Sequence, residues 1–162
     1  ATKGHWKRVG MVSGPEPHRS LMERSLKRWM SQDGLGGLIV SGRPDGTIQE
    51  EEGVTIWPNP TAEQLAGALV GAETVVCRSG YSSLLDLAAL GVRAILVPTP
   101  GQSEQIYLAQ HWAQSFGFAT CTQLELERGL IPEMQGALVR KEANVCAIEA
   151  LDNWVNCPSK SN

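Results

Sequence analysis

With 162 residues and 42% hydrophobic content, the chain can build one core of ordinary domain size, which excludes a complete two-domain enzyme. Its 14 basic and 17 acidic residues leave a net charge of -3, too weak a field to gather nucleic acid or an anionic membrane surface. No uninterrupted apolar stretch reaches the roughly 18–20 residues of a spanning helix, and Arg93 breaks the best candidate, Leu84 to Pro98. Val9 to Val12 reads as a first strand, ended by Ser13-Gly14-Pro15-Glu16-Pro17, and Arg19 to Met30 carries apolar residues at helical spacing. Gly37 to Val40 and Val54 to Trp57 are further strands. Thr61 is a plausible N-cap for a helix over Ala62 to Val70, with Glu63 in its first turn. Thr74 to Cys77 is a strand, Ser82 to Leu90 a helix closed by Gly91, and Ala94 to Val97 a strand stopped by Pro98. A helix over Ser103 to Phe116 and a short strand over Phe118 to Cys121 follow, and the remainder reads as helical up to a polar tail at 158–162.

Short apolar strands alternating with amphipathic helices predict a doubly wound, Rossmann-like α/β domain over residues 1–157, its parallel sheet covered on both faces. The N-terminal residues 1–7 have no signal-peptide core, so the expectation is a cytoplasmic domain. Cys77, Cys121, Cys146 and Cys157 stand at irregular intervals without a Cys-x-x-Cys pair, which predicts reduced thiols acting as small apolar side chains and no metal site. His5, His18 and His111 read as surface residues. Trp29, Trp112 and Trp154 read as core or interdomain packing, and Lys27-Arg28 and Arg140-Lys141-Glu142 as solvated helix faces.

In such sheets ligands bind at the carboxyl ends of the strands. The most informative loop there is Cys77-Arg78-Ser79-Gly80-Tyr81-Ser82-Ser83. Glycine permits close backbone approach, a helix N-terminus offers unpaired N–H groups, and Arg78 adds a cation, a combination suited to phosphate. On helical geometry Ser79, Ser82, Ser83 and Asp86 share one face, so a carboxylate stands about two turns from the cradle, where it can accept from both hydroxyls of a ribose. The spacing equally allows a plain helix start with Asp86 as a solvated polar residue. In the loop Thr99-Pro100-Gly101-Gln102-Ser103-Glu104-Gln105, Glu104 and Gln105 can bond neighbouring sugar hydroxyls. A dipole-favoured acid in the first turn explains Glu104 but leaves Gln105 unaccounted for. No Gly-x-Gly-x-x-Gly or Gly-x-x-x-x-Gly-Lys-Ser/Thr run supports a dehydrogenase or an NTPase.

The stretch from Ala72 through Arg78-Ser79-Gly80, Asp86 to Gly91, Ile95 to Pro98 and Glu104-Gln105 closely resembles the C-terminal domain of GT-B glycosyltransferases, nearest to the peptidoglycan UDP-N-acetylglucosamine transferases. The resemblance implies the C-terminal, donor-binding half of a GT-B fold and transfer from a UDP-sugar to an acceptor hydroxyl, with inversion and without a metal or other cofactor. It assigns the donor diphosphate to Arg78 and to Ser79, Gly80, Tyr81 and Ser82, with Arg78 stabilising the leaving group. It places the ribose at Asp86, where the family has a glutamate, and the sugar at Gln105 and Glu104, with Thr99 and Gly101 in the same loop. Trp57 and Pro58 would line the base pocket.

The first loop departs from the family's glycine-rich one. Gly14 remains, but Pro15 and Pro17 lack N–H donors and Glu16 repels a diphosphate unless it points away, while Arg19 matches a family arginine. The family's acceptor-binding half precedes the donor half, and Val9 already opens the first strand here. The expectation is therefore an excised domain or a subunit that needs a separate acceptor-binding partner, transferring little by itself and reaching a membrane peripherally through that half. The same donor site would also serve a nucleotide-sugar epimerase or hydrolase, or a noncatalytic binding or scaffold module.

Overall fold

Among the described residues, seven short strands form one sheet in the order β3-β4-β2-β1-β5-β6-β7. The structure, a computed structural model, describes residues 5–134. Along the chain it runs β1 (Arg8–Met11), α1 (His18–Ser31), β2 (Gly37–Val40), β3 (Gln49–Glu51), β4 (Val54–Trp57), α2 (Ala62–Gly71) and β5 (Thr74–Cys77). After these come α3 (Tyr81–Leu90), β6 (Ile95–Leu96), α4 (Ser103–Phe116), β7 (Ala119–Thr120) and α5 (Gln123–Glu127). The helical reading beyond α5, the tail at 158–162, Trp154, Cys146, Cys157 and Arg140-Lys141-Glu142 lie outside the described residues.

Period-2 alternation splits the strands between two cores. Val9, Leu38, Val40, Val75, Cys77 and Leu96 meet α2, α3 and α4 on one face, around Trp112. Ile39, Val54, Ile56, Val76, Ile95 and Val97 meet α1 and α5 on the other, through Met22, Leu26, Met30 and Leu126. Helices on both faces make the sheet doubly wound, and the central strands are buried on both sides because neither face meets water there. Trp112 is in the core, edge-on to Phe116 and Phe118, whereas Trp29 is half-buried beneath the Arg8 guanidinium. Cys77 and Cys121 are buried free thiols. His5 is exposed, and His18 and His111 are half-buried.

The structure corrects the sequence reading at one edge. β3 pairs antiparallel with β4 through the two-residue turn Glu52-Gly53, both at positive φ (51° and 81°), the geometry of a type I′ hairpin. Its residues Gln49, Glu50 and Glu51 are all exposed, so no apolar alternation announced it, and their charges guard an open edge. The strands expected over Ala94 to Val97 and Phe118 to Cys121 each shrink to two paired residues, although the flanking Val97 N–H still donates to the Cys77 carbonyl and the Cys121 N–H to the Leu96 carbonyl.

All other neighbours are parallel, and the connections diverge between β1 and β5: the chain leaves β1 towards β2 and returns to β5 on its other side. That is the topological switch point, where loops splay and open a crevice at the carboxyl ends. Ser13-Gly14 follows β1 there, and Arg78-Ser79-Gly80 follows β5.

Candidate functional site

Two of the five helices among the described residues carry a complete capping box. In α2, Thr61 accepts from the Gln64 N–H while Gln64 accepts from the Thr61 N–H; in α5, Thr122 and Glu125 do the same. The N-termini of α3 and α4 have no side-chain cap. α3 begins at Gly80, whose extended backbone (φ -74°, ψ 152°) faces open space, with no atom within 4 Å of where a Cβ would stand. The two open termini are tied together, since the Ser79 hydroxyl, fully buried, donates to the Gln105 carbonyl at 2.7 Å. Unpaired N–H groups and the positive ends of two helix dipoles therefore face the mouth of the crevice.

α1 also points its N-terminus this way, but an acid already occupies it. The Glu16 carboxylate accepts from the Ser20 N–H at 3.2 Å and hydroxyl at 2.6 Å. The Ser20 hydroxyl, foremost, holds the Glu16 carboxyl below its usual range. Glu16 is thus turned onto α1. Arg19, expected beside it, reaches away to donate to the Ser41 carbonyl.

Arg78 lies beneath the mouth, 2% exposed, as one of the largest fully buried side chains. Its Nε donates to the Ser13 carbonyl (3.4 Å) and Nη2 to the His18 carbonyl (3.2 Å). Nη1 donates to the carbonyls of Val97 (3.3 Å) and Pro98 (3.4 Å) and to Gln123 Oε1 (2.8 Å). Every one of these acceptors is neutral, so among the described residues the buried charge has no hydrogen-bonded carboxylate. Burial accordingly depresses the guanidinium to about 10, with the neighbouring Cys77 opposing the shift. The sequence placed Arg78 in direct contact with phosphate; the structure turns it inward, where it joins the loops after β1, β5 and β6 to α5.

Above it stand Gly14 and Thr99. Gly14 has φ +98°, a conformation that L side chains rarely adopt, and a Cβ there would stand 3.4 Å from Thr99 Oγ1 and 3.9 Å from Arg78 Nε. Thr99 is 1% exposed. Its N–H donates to Gln105 Oε1 at 2.8 Å, while its hydroxyl, like His18 Nδ1 and Arg19 Nε, is buried without a hydrogen-bond partner. Such groups cost about 1–3 kcal/mol each unless something supplies the missing partner. Gln105 also donates to Gln102 Oε1 at 2.8 Å, so its amide braces the loop that carries the exposed Gly101.

The other expected residues lie further out. Tyr81 is half-buried against the larger core, Ser82 and Asp86 are exposed on α3, and Glu104 is exposed in the first turn of α4. Asp86 is six residues from Gly80, roughly 9 Å along the helix. Trp57 and Pro58 end β4, three strand spacings or roughly 14 Å from β5, with the Trp57 ring edge-on to Trp6 at 4.8 Å. The structure thus brings Gly14, Arg78, Ser79, Gly80, Thr99 and Gln105 together and sets Asp86 and Trp57 at its margins. The sequence reading missed Gln123, which is 5% exposed and looked like an ordinary first residue of a helix. No motif marks it.

Beside Thr99 runs a groove of about 390 Å³, lined chiefly by Pro98, Pro100, Ile106, Gln123 and Leu124. A second one, about 530 Å³, lies among His5, Lys7 and Glu50 to Glu52 at the amino-terminal end of the strands, opposite the crevice. Among the described residues no group of three or more His, Cys, Asp or Glu is placed to hold a metal, and no helix is long and apolar enough to cross a membrane.

Comparison with known proteins gives matches that agree with this architecture. The family model of the glycosyltransferase family 28 C-terminal domain matches residues 50–145. Curated relatives include UDP-N-acetylglucosamine--N-acetylmuramyl-(pentapeptide) pyrophosphoryl-undecaprenol N-acetylglucosamine transferases. That of Acetivibrio thermocellus is 30% identical over 131 residues, covering 77% of this chain and 35% of the relative. That of Mannheimia succiniciproducens is 33% identical over 89 residues, covering 54% and 25%. The chain thus spans about a quarter to a third of these relatives. Among solved structures, MurG of Acinetobacter baumannii aligns with a TM-score of 0.53 at 22% identity, over 99% of this chain and 51% of that one. SnogD from Streptomyces nogalater aligns with 0.51 at 13%, over 90% and 40%. Both share the fold.

Proposed function

This chain belongs to the glycosyltransferase family 28 C-terminal domains, and from that premise we propose that it binds the nucleoside diphosphate of a UDP-sugar at the β1/β5 switch point and presents the sugar for transfer to an acceptor hydroxyl. The observation that carries the reading is the Arg78 guanidinium, buried and, among the described residues, hydrogen-bonded only to neutral oxygens. A buried cation without a partner is costly, and an anion arriving at the mouth above it offsets that cost. The open N-termini of α3 and α4 supply the N–H donors for its oxygens.

Each part of the donor then has a place. The diphosphate sits over Gly14, Gly80 and the Thr99 hydroxyl, whose missing partner a phosphate oxygen provides. Asp86 accepts from the ribose hydroxyls, and the base extends towards Trp57 and Pro58. Gln105 and Glu104 face the sugar. When the acceptor oxygen attacks the anomeric carbon, the bond to the diphosphate breaks and negative charge grows on the leaving group. Dipoles and a cation already fixed around it lower the barrier because that charge is greatest in the transition state. The acceptor and any general base come from an acceptor-binding half, so this chain alone binds donor and transfers little. Because the curated relatives are UDP-N-acetylglucosamine transferases, UDP-N-acetylglucosamine is the first donor to try.

Calorimetric titration of the chain with UDP, uridine and ADP tests the reading. UDP binds, uridine binds at least tenfold more weakly, and ADP is disfavoured. Equal affinity for UDP and uridine would show that no diphosphate site exists.

A further inference from the structure

Gln123 makes the shortest hydrogen bond to Arg78. Its Oε1 accepts from Nη1 at 2.8 Å, and its Nε2 donates at 3.4 Å to the His18 carbonyl, which itself accepts from Arg78 Nη2. The side chain is 5% exposed, so this small ring is closed off from water. A glutamate would fit the same volume and accept the same bond. It would also pair the buried guanidinium, the usual arrangement for a charge in a protein interior. The chain has an amide there instead. The nearby acids are committed elsewhere: Glu16 to Ser20, and Glu125 to its capping box with Thr122.

We propose that Gln123 is a positioning residue for the donor: its neutral amide fixes the Arg78 guanidinium beneath the Gly14–Thr99 mouth while leaving the positive charge uncompensated, so that only an anionic ligand completes the site. The proposal rests on the diphosphate reading above and deepens it. The preference for a diphosphate over an uncharged nucleoside then depends on an uncharged residue that never touches the ligand. Burial strengthens the effect, since a charge shielded from water acts on the crevice with less screening.

The test compares the full chain with Gln123→Glu and Gln123→Met, each melted without ligand and titrated with UDP and with uridine. Gln123→Glu forms an ion pair with Arg78, so it melts no lower than wild type yet binds UDP at least tenfold more weakly, with uridine affinity within threefold. Gln123→Met loses the hydrogen bonds that fix the guanidinium but alters no charge, so it melts lower and its ratio of UDP to uridine affinity falls at least threefold, though less than in Gln123→Glu. UDP affinity unchanged in Gln123→Glu overturns the proposal. A ratio in Gln123→Met equal to that of wild type also overturns it, even if Gln123→Glu does not fold, because the amide then positions nothing the diphosphate feels. Failure of the wild-type chain to prefer UDP over uridine overturns the diphosphate reading itself.

Discussion

Replacing Gly80 with alanine separates the ligand site from the fold. Gly80 has φ -74° and ψ 152°, a region open to any L residue, and the added methyl would meet no atom within 4 Å. Losing a glycine from the unfolded ensemble stabilises by about 0.4–1 kcal/mol. Alanine is a poorer N-cap than glycine, which costs a similar amount. The two effects nearly cancel, so the unliganded variant should melt within about 4 °C of wild type. A diphosphate bound at the start of α3 must bring its oxygens into the space the methyl now fills. Losing one charge-assisted hydrogen bond costs about 1.5–3 kcal/mol, or roughly tenfold to a hundredfold in affinity. Scanning fluorimetry without ligand and calorimetry with UDP measure the two quantities separately. An unchanged melting temperature together with UDP affinity within twofold of wild type would refute the placement of phosphate at this helix terminus.

Other substitutions test the remaining parts. Asp86 is exposed, so Asp86→Ala should leave the unliganded melting temperature unchanged while weakening UDP at least tenfold through lost ribose hydrogen bonds; equal affinity refutes the ribose role. Arg78→Met leaves the carbonyls of Ser13 and His18 and Gln123 Oε1 without their donor, at about 1–3 kcal/mol for each group left unsatisfied, offset in part by removal of a buried charge, and should lower the midpoint in urea unfolding. Alkaline pH should destabilise the fold through Cys77. Burial pushes its thiol up to about 12 from 9.0, with Arg78 opposing, so above pH 9 the unfolded chain gives up the proton that the folded chain keeps. Stability contributed by this thiol is complete below pH 9 and falls towards pH 12, with a limiting slope of about 1.4 kcal/mol per pH unit. Cys77→Ala should remove that part of the slope in urea unfolding at pH 9 and 10, and an unchanged slope would assign the loss to other groups.

Much of this protein could be read from local pattern. The strands over Gly37 to Val40, Val54 to Trp57 and Thr74 to Cys77 and the helix over Ser103 to Phe116 appear where period and punctuation put them, because hydrophobic periodicity and turn residues act within a few positions of the chain. The same applies to Thr61 as an N-cap. Other features depended on contacts between distant residues. β3 is three polar residues whose strand character comes only from pairing with β4, so nothing in its own composition announces it. Arg78 looks like a phosphate ligand from its position before Ser79-Gly80, but its direction is decided by carbonyls 60 and 65 positions earlier and an amide 45 positions later. Gln123 has no meaning until the fold sets it against that guanidinium. Local spacing therefore determined the elements and the loops that border the crevice at the carboxyl ends of the strands. Tertiary packing alone decided which charges reach that crevice and which are turned inward, because burial, and with it the cost of an unpaired charge, is a property of the assembled chain.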